Sequence, residues 1–137
     1  MHKLISVEEY DVTRHVTLKN TETGTQDYCF DDSDMVDIKH KDFWFMEVGK
    51  KYDCKIQLFG RVVSDTNRVK TAVLCRTVRD NVVVGKARLM EVVVDLDRYY
   101  IPRRDVIEHT KDECFYFDCI RKDLIQVNNV IHGDYLD

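Results

Sequence analysis

A two-residue alternation of apolar and polar side chains is the feature that most constrains the fold of this chain. It is clearest in residues 52–61, where one set of alternate positions is Tyr52, Cys54, Ile56 and Leu58 and the other is Lys55, Gln57, Phe59 and Arg61. Successive side chains of a β-strand point to opposite faces. The alternation therefore predicts a strand with its first face in the core and its second face in water.

Other stretches between turn-forming residues have the same β-forming character. They are residues 3–20, 26–30, 68–78, 82–96 and 113–120. The TETGT sequence predicts a hairpin between the first two stretches, and so two strands before residue 31. RDN predicts a tight connection between the third stretch and the fourth. Gly85 interrupts a long apolar run, which indicates a β-bulge, a bend where the sheet curls, or a close packing contact.

The remaining segments predict loops and one helix. DDSDMVDIKHKD has neither a helical nor an alternating period and predicts a loop or a short irregular turn, and SDTNR predicts a turn. Pro102 is the only proline and is suited to the first turn of a short helix formed by RRDVIEHTKDE, with Val106 and Ile107 facing the sheet. The C-terminal DLIQVNNVIHGDYLD predicts a strand or a frayed helix.

These elements predict one all-β, or β-rich α+β, domain that spans residues 1–137. About six strands and one short helix, with a bend marked by glycine, favour a small antiparallel barrel. The order of long curved strands resembles the oligonucleotide/oligosaccharide-binding barrel, or OB-fold, and a β-sandwich is the alternative. Neither Pro-rich nor Ser-rich linkers nor internal repeats indicate a second domain.

The distribution of charge suggests a binding function. The net charge is −4, yet residues 49–90 carry 10 basic and 3 acidic side chains. If these strands curl into a barrel, basic and aromatic side chains would share a face that binds single-stranded nucleic acid by phosphate contacts and base stacking. The predicted nucleic-acid-binding residues are Lys55, Phe59, Arg61, Arg76, Lys86 and Arg88. Surface charge is also expected on any soluble sheet, where it discourages unwanted pairing.

The alternative function is a protein-interaction module, such as an inhibitor, an immunity protein or an assembly adaptor. The sequence DRYYIPRRD places two tyrosines, one expected to be buried and one exposed, beside a rigid turn and two arginines, and these residue types are enriched at binding hot spots. An acidic stretch that includes Asp34 and Asp37 would dock a basic partner. The predicted partner-binding residues are Tyr99, Tyr100, Arg103, Arg104, Asp31 and Asp32.

No motif predicts an enzyme, a cofactor or a metal. The five histidines are scattered and none belongs to a recognisable catalytic motif, so we expect a non-enzymatic protein. The acidic stretch lacks the spacing of an EF-hand, and CxxC and HxxxH pairs are absent from the sequence. The five cysteines are an odd number among apolar neighbours, which favours reduced thiols in a cytoplasmic protein. Apolar runs are too short to predict a membrane span.

Overall fold

A computed structural model describes residues 1–11, 13–32, 42–64 and 70–136. The predictions for Asp34, Asp37 and most of the two loops lie outside these ranges. Within them the chain forms ten strands, one helix and a C-terminal 3-10 turn. Their bounds are β1 His2–Glu9, β2 Arg14–Asn20, β3 Gln26–Asp31, β4 Lys51–Tyr52, β5 Cys54–Val63, β6 Ala72–Val84, β7 Ala87–Val94, β8 Asp97–Pro102, α1 Arg103–Ile107, β9 Cys114–Val127, β10 Val130–Ile131 and the 3-10 turn Gly133–Tyr135.

Strands β5 to β9 close into a barrel. Strand β9 pairs with both β5 and β6, β6 pairs with β7, and β7 pairs with β8, all antiparallel. A parallel contact between Gln57 of β5 and Tyr100 of β8 completes the ring. The predicted small all-β barrel is confirmed, and it is found in place of the alternative sandwich.

The order of pairing in this ring is that of an OB barrel with one strand moved along the chain. In an OB barrel the first strand pairs with the second and fourth, and the third pairs in parallel with the fifth. Here β6, β7, β8 and β9 take the first four places, and α1 lies between the third and the fourth. The fifth place belongs to β5, which precedes the others in the chain.

The strands outside the ring extend one wall of the barrel. They follow the order β4-β1-β2-β3 and join β9 through a parallel pair between Phe30 and Asp123. The predicted TETGT hairpin is confirmed between β2 and β3. The prediction of two strands before residue 31 is wrong by one, because the chain reverses after Glu9 and Tyr10 N–H donates to the carbonyl of Thr13 at 2.8 Å.

The core follows the alternation from which the fold was predicted. All four predicted core residues of the 52–61 stretch are buried. On the opposite face Phe59 and Arg61 are exposed and Lys55 is half-buried, but Gln57 is buried. The reason is the C-terminal 3-10 turn, which covers this part of the wall: the hydroxyl of Tyr135 donates to Oε1 of Gln57 at 2.6 Å.

The hairpin of β6 and β7 differs from its prediction. RDN is not a connection, because β6 continues through it with register shifts on either side of Arg79. The chain turns instead at Gly85 and Lys86, between the paired residues Val84 and Ala87. Gly85 has a φ of +58°, a conformation that favours glycine, so the prediction of a bulge or bend within a strand is wrong at this position.

A short helix is confirmed, but it covers only Arg103–Ile107 of the predicted RRDVIEHTKDE, and its buried face has one error. Val106 packs in the core as predicted, whereas Ile107 is 42% exposed. The C-terminal stretch forms the end of β9, then β10 and the 3-10 turn. Ile131 of β10 and Tyr135 of the turn pack against Leu89, Tyr100 and Ile125 on the outside of the barrel. In the described ranges, no helix has both the length and the apolar character needed to cross a bilayer.

Candidate nucleic-acid interface

The six residues predicted to bind nucleic acid are distributed over β5, β6, β7 and the turn between β6 and β7. Arg76 lies opposite Val93, and Arg88 lies opposite Val83, near the other end of the same hairpin. Seven positions of β6 separate these two sites, which corresponds to roughly 20 Å. Lys86 lies in the turn rather than on a strand, and its backbone N–H donates to the carbonyl of Tyr135 at 2.6 Å.

Two of the six residues, Phe59 and Arg61, do lie together on β5. The Phe59 ring is 47% exposed, and the guanidinium of Arg61 lies 4.0 Å from Asp118. Lys55 lies further along the strand, opposite Gln126, and lines a separate cavity near the N-terminus. Of these six residues, Phe59 contacts Arg121, which lines the cleft described below.

The expectation that DRYYIPRRD exposes one tyrosine is wrong. Tyr99 is 4% exposed and Tyr100 is 8% exposed. They point to opposite sides of β8, but each side is covered: the hydroxyl of Tyr99 donates to Asp27, and that of Tyr100 donates to Glu91 at 2.9 Å. Burial is the main cause that raises the pKa of both phenols.

The other predicted partner-binding residues interact within the chain. Asp31 is buried against Arg14, whose Nε lies 2.7 Å from its carboxylate, so it cannot dock a basic partner. Arg103 pairs with Asp80 at 3.2 Å, and Arg104 pairs with Glu108 one turn along the helix. Asp32 accepts a hydrogen bond from the buried ring of His132 at 2.6 Å.

A cleft of about 540 Å³ opens between β3 and β9. Only one residue pair joins these two parallel strands, so they separate on either side of it. The cleft is lined by aromatic, cationic and amide side chains with one exposed aliphatic residue, and its lining residues are His15, Gln26, Tyr28, Phe30, Cys119, Ile120, Arg121 and Lys122. We refer to this feature as the β3–β9 cleft.

Stacked rings form the β2 side of the cleft. The rings of His15 and Tyr28 lie 4.6 Å apart and nearly parallel, and Tyr10 contacts His15 edge-on. Tyr28 remains 49% exposed, and its hydroxyl donates to Glu8 at 2.7 Å. That hydrogen bond, with a second from Tyr10, lowers the pKa of Glu8. In the described part of the chain, the buried Nδ1 of His15 has no hydrogen-bond partner.

A guanidinium stacked between two rings forms the β9 side. Arg121 lies 4.9 Å from the Phe30 ring and 4.7 Å from the Phe59 ring. Its Nε donates to Asp123 at 2.7 Å, which orients the guanidinium plane. Burial raises the pKa of Asp123 more than the hydrogen bond and charge of Arg121 lower it. Tyr28, Arg121 and Phe59 thus form an exposed row across three strands.

Most of the aromatic and cationic side chains at this cleft are missing from the sequence-based prediction. That prediction includes Phe59 but not His15, Tyr28, Phe30 or Arg121. The alternation in QDYCF places Tyr28 and Phe30 on one face, and this was the only available signal. Their proximity to Arg121, some 90 residues later, depends on the parallel pairing of β3 with β9, which local sequence does not encode.

Two other features were compared with the β3–β9 cleft. A cleft of about 550 Å³ beside α1 includes Asp80, Asp112 and Glu113 and has no aromatic ring in its lining, so it does not suit a nucleic acid. Asp32, His132 and Asp134 place ligand atoms within 4.8 Å of one another. Both ring nitrogens of His132 already have partners, since Nδ1 accepts from the backbone N–H of Asp134.

The thiols do not point to redox or metal chemistry at this surface. Burial raises the pKa of Cys54 and of Cys75 to about 12, and raises that of Cys29 as well. These three side chains therefore remain protonated at neutral pH and pack as small apolar groups. Cys114 is exposed, and Cys119 lies at the edge of the β3–β9 cleft.

The fold and the cleft define a five-strand barrel whose extended sheet carries an aromatic and cationic surface. Comparisons of the chain with protein-family models, with curated proteins and with solved structures find no match. The function is therefore argued from the chemistry of the surface.

Proposed function

We propose that the β3–β9 cleft binds single-stranded nucleic acid. The observation that carries the proposal is the row of Tyr28, Arg121 and Phe59, in which the guanidinium stacks on the half-exposed Phe59 ring and lines the same cleft as the half-exposed Tyr28 ring. Bases stack on aromatic and guanidinium planes with about 1–3 kcal/mol each, irrespective of sequence. Gln26 adds an amide that can donate to and accept from a base edge.

A single strand suits this surface better than a duplex. The exposed rings can stack only on bases whose faces are free. In a duplex the base faces are already stacked on one another, so they are not available. Charge also favours this choice, because the net charge is −4 and Arg121 is partly neutralised by Asp123. Binding would then depend on stacking more than on phosphate neutralisation, which governs duplex affinity.

Fluorescence anisotropy with labelled oligothymidylate and oligouridylate tests the proposal, with a duplex of the same length for comparison. We expect saturable binding of the single strands at about 50 mM salt and weaker binding of the duplex. Phe59→Ala should weaken single-strand binding by about 5-fold to 150-fold, equivalent to the loss of one stacked base. The control is Leu96→Ala, which truncates an apolar side chain that is 79% exposed in the β7–β8 turn.

A second pair of variants separates the cleft from the face predicted from sequence. Arg121→Glu and Arg88→Glu change the net charge equally, but only Arg121 lies in the cleft. We expect Arg121→Glu to abolish binding and Arg88→Glu to leave it within about 2-fold. Equal losses from both would indicate diffuse charge attraction, and no binding by the wild-type protein would refute the proposed function.

A protein-interaction module is the second candidate, on a different surface from the one predicted. The observation that favours it is the exposed strip of Leu74 and Tyr116, which face each other across β6 and β9 with Val63 beside them. Exposed apolar side chains in register can pack against a partner. Tyr116→Ala should then reduce capture of a protein partner while leaving oligonucleotide binding unchanged.

A further inference from the structure

Three lysines form a row across the outer face of the N-terminal strands. Lys3 of β1 lies directly opposite Lys51 of β4 on one side and Lys19 of β2 on the other. All three side chains are exposed. Residues that are directly opposite in adjacent strands have Cβ atoms about 5 Å apart. We call Lys3, Lys19 and Lys51 the lysine row.

The lysine row is electrostatically unbalanced. Like charges directly opposite in a sheet are destabilising. In the ranges that the structure describes, none of the three ammonium groups forms an ion pair with a carboxylate, whereas the exposed Arg61, Arg104 and Arg121 each do. An anion placed over the row would satisfy all three groups at once, and a chain of phosphates matches their spacing across the strands.

The lysine row shares a face with the β3–β9 cleft. Lys19, Thr17 and His15 alternate along β2 on its outer side, and His15 lines the cleft. The next residue across from Lys19 is Gln26 of β3, which also lines the cleft. Four positions separate Lys19 from His15, about 13 Å along the strand. Lys19 therefore adjoins the Gln26 end of the cleft, and a strand that stacks in the cleft reaches Lys3 and Lys51 only if it continues beyond that end.

We infer that the lysine row binds the backbone phosphates of the same single strand whose bases stack in the β3–β9 cleft. This inference rests on the proposed function and adds a direction to it: the strand leaves the cleft past Gln26 and crosses β2, β1 and β4. The lysine row supplies affinity through counterion release, and the cleft supplies base stacking. The occupied site is then longer than the cleft.

The test compares oligothymidylates of about 4 and about 12 nucleotides, which bracket the site sizes of small barrels. The variant changes Lys3, Lys19 and Lys51 together to Gln. The matched control changes Lys70, Arg104 and Lys111 to Gln, which alters the net charge equally at exposed positions away from this face. Circular dichroism establishes that both variants are folded.

We expect the lysine-row variant to bind the longer oligonucleotide with a salt slope, log K against log salt, that is smaller by about 2, since each phosphate contact contributes about 0.7. Its affinity for the shorter oligonucleotide should fall much less, since from the cleft that oligonucleotide reaches at most Lys19. The control triple variant should keep the wild-type slope.

Two failures are distinguishable. If the lysine-row variant keeps the wild-type salt slope on the longer oligonucleotide while Phe59→Ala still weakens binding, the inference is overturned and the cleft stands. If the wild-type protein binds neither oligonucleotide, the proposed function fails and the inference fails with it.

Discussion

The buried carboxylate of Asp27 is balanced by polar groups from two other strands. Asp27 is buried, and both of its carboxylate oxygens accept from the hydroxyl of Tyr99, at 3.0 and 2.8 Å. The ammonium of Lys122 donates to the same carboxylate and lies over the Tyr99 ring. Burial lowers the pKa of Lys122, but the hydrogen bond and charge of Asp27 raise it more. These three residues link β3, β8 and β9.

Replacement of Tyr99 by Phe removes one partner from this buried carboxylate. We expect the free energy of unfolding to fall by about 1.5–3 kcal/mol, the usual loss for a hydrogen bond to a charged group. Urea denaturation at neutral pH measures the change, with Tyr116→Phe as the control, since Tyr116 is partly exposed on the outer wall. A loss below about 0.5 kcal/mol would mean that Lys122 alone balances Asp27.

At the scale of elements, a bulge between β5 and β9 sets the geometry of the cleft. The pairing shifts between Phe59 and Gly60, so that Ile120 of β9 has no residue opposite it on β5. Because of that shift, Arg121 lies opposite Phe59 and can stack on it. The two strands approach so closely here that a Cβ atom on Gly60 would lie 1.8 Å from the carbonyl oxygen of Asp118.

Gly60→Ala should therefore be strongly destabilising. The clash is with backbone, which cannot rotate away, so we expect a loss of about 3 kcal/mol or more. Gly24→Ala is the control: a Cβ there meets nothing within 4 Å, and only its φ of +80° opposes the substitution, at about 1–2 kcal/mol. Urea denaturation of both variants measures the difference. Equal losses would show that the strands separate at Gly60 without much cost.

At the scale of the whole molecule, the C-terminal segment packs on the outside of the barrel, and His132 holds it there by a hydrogen bond. Its Nε2 donates to Asp32, which follows β3, and the next residue, Gly133, donates its N–H to Asp42 at 2.8 Å. The segment also covers β8 and the outer side of β7, the strands that occupy the second and third places of an OB barrel. In OB barrels that face binds the oligonucleotide, whereas here the C-terminal segment covers it.

The contact between His132 and Asp32 predicts a pH dependence. Burial lowers the pKa of His132, but the hydrogen bond and charge of Asp32, with the charges of Asp134 and Asp42, raise it above its usual value. Because folding raises this pKa, its contribution is complete below the unfolded value near 6.5 and is lost as pH rises through the folded pKa. Folding lowers the pKa of Asp32, chiefly through the hydrogen bond with His132. The contribution of Asp32 to stability is therefore lost only as pH falls through its folded pKa.

The stability difference between wild type and His132→Gln should accordingly be largest near pH 5 and smaller at pH 9. Urea denaturation at pH 5, 7 and 9 measures this difference, and NMR titration of the ring should give a pKa above 6.5. An equal difference at all three pH values would contradict the prediction and assign His132 a packing role alone.

What could be predicted from sequence was local. The alternation through Ile56 and Leu58 identified a strand and its buried face, TETGT identified a hairpin, and Pro102 marked the start of the helix. Side-chain periodicity and turn chemistry act over a few residues, so they are visible without a structure. The barrel itself could be inferred from the number and curvature of such strands.

The assignment of surfaces was decided by the tertiary structure. The C-terminal segment, distant in sequence, buries Gln57 and Tyr100, and the partner of Asp31 is Arg14 of another strand. The parallel pairing of β3 with β9 brings Tyr28 to Arg121. The sequence by itself determined which stretches are strands and which of their faces are apolar, because those properties are local. Which polar faces remain in contact with water depends on how distant strands pair, and only the closed barrel and its extended sheet decide that.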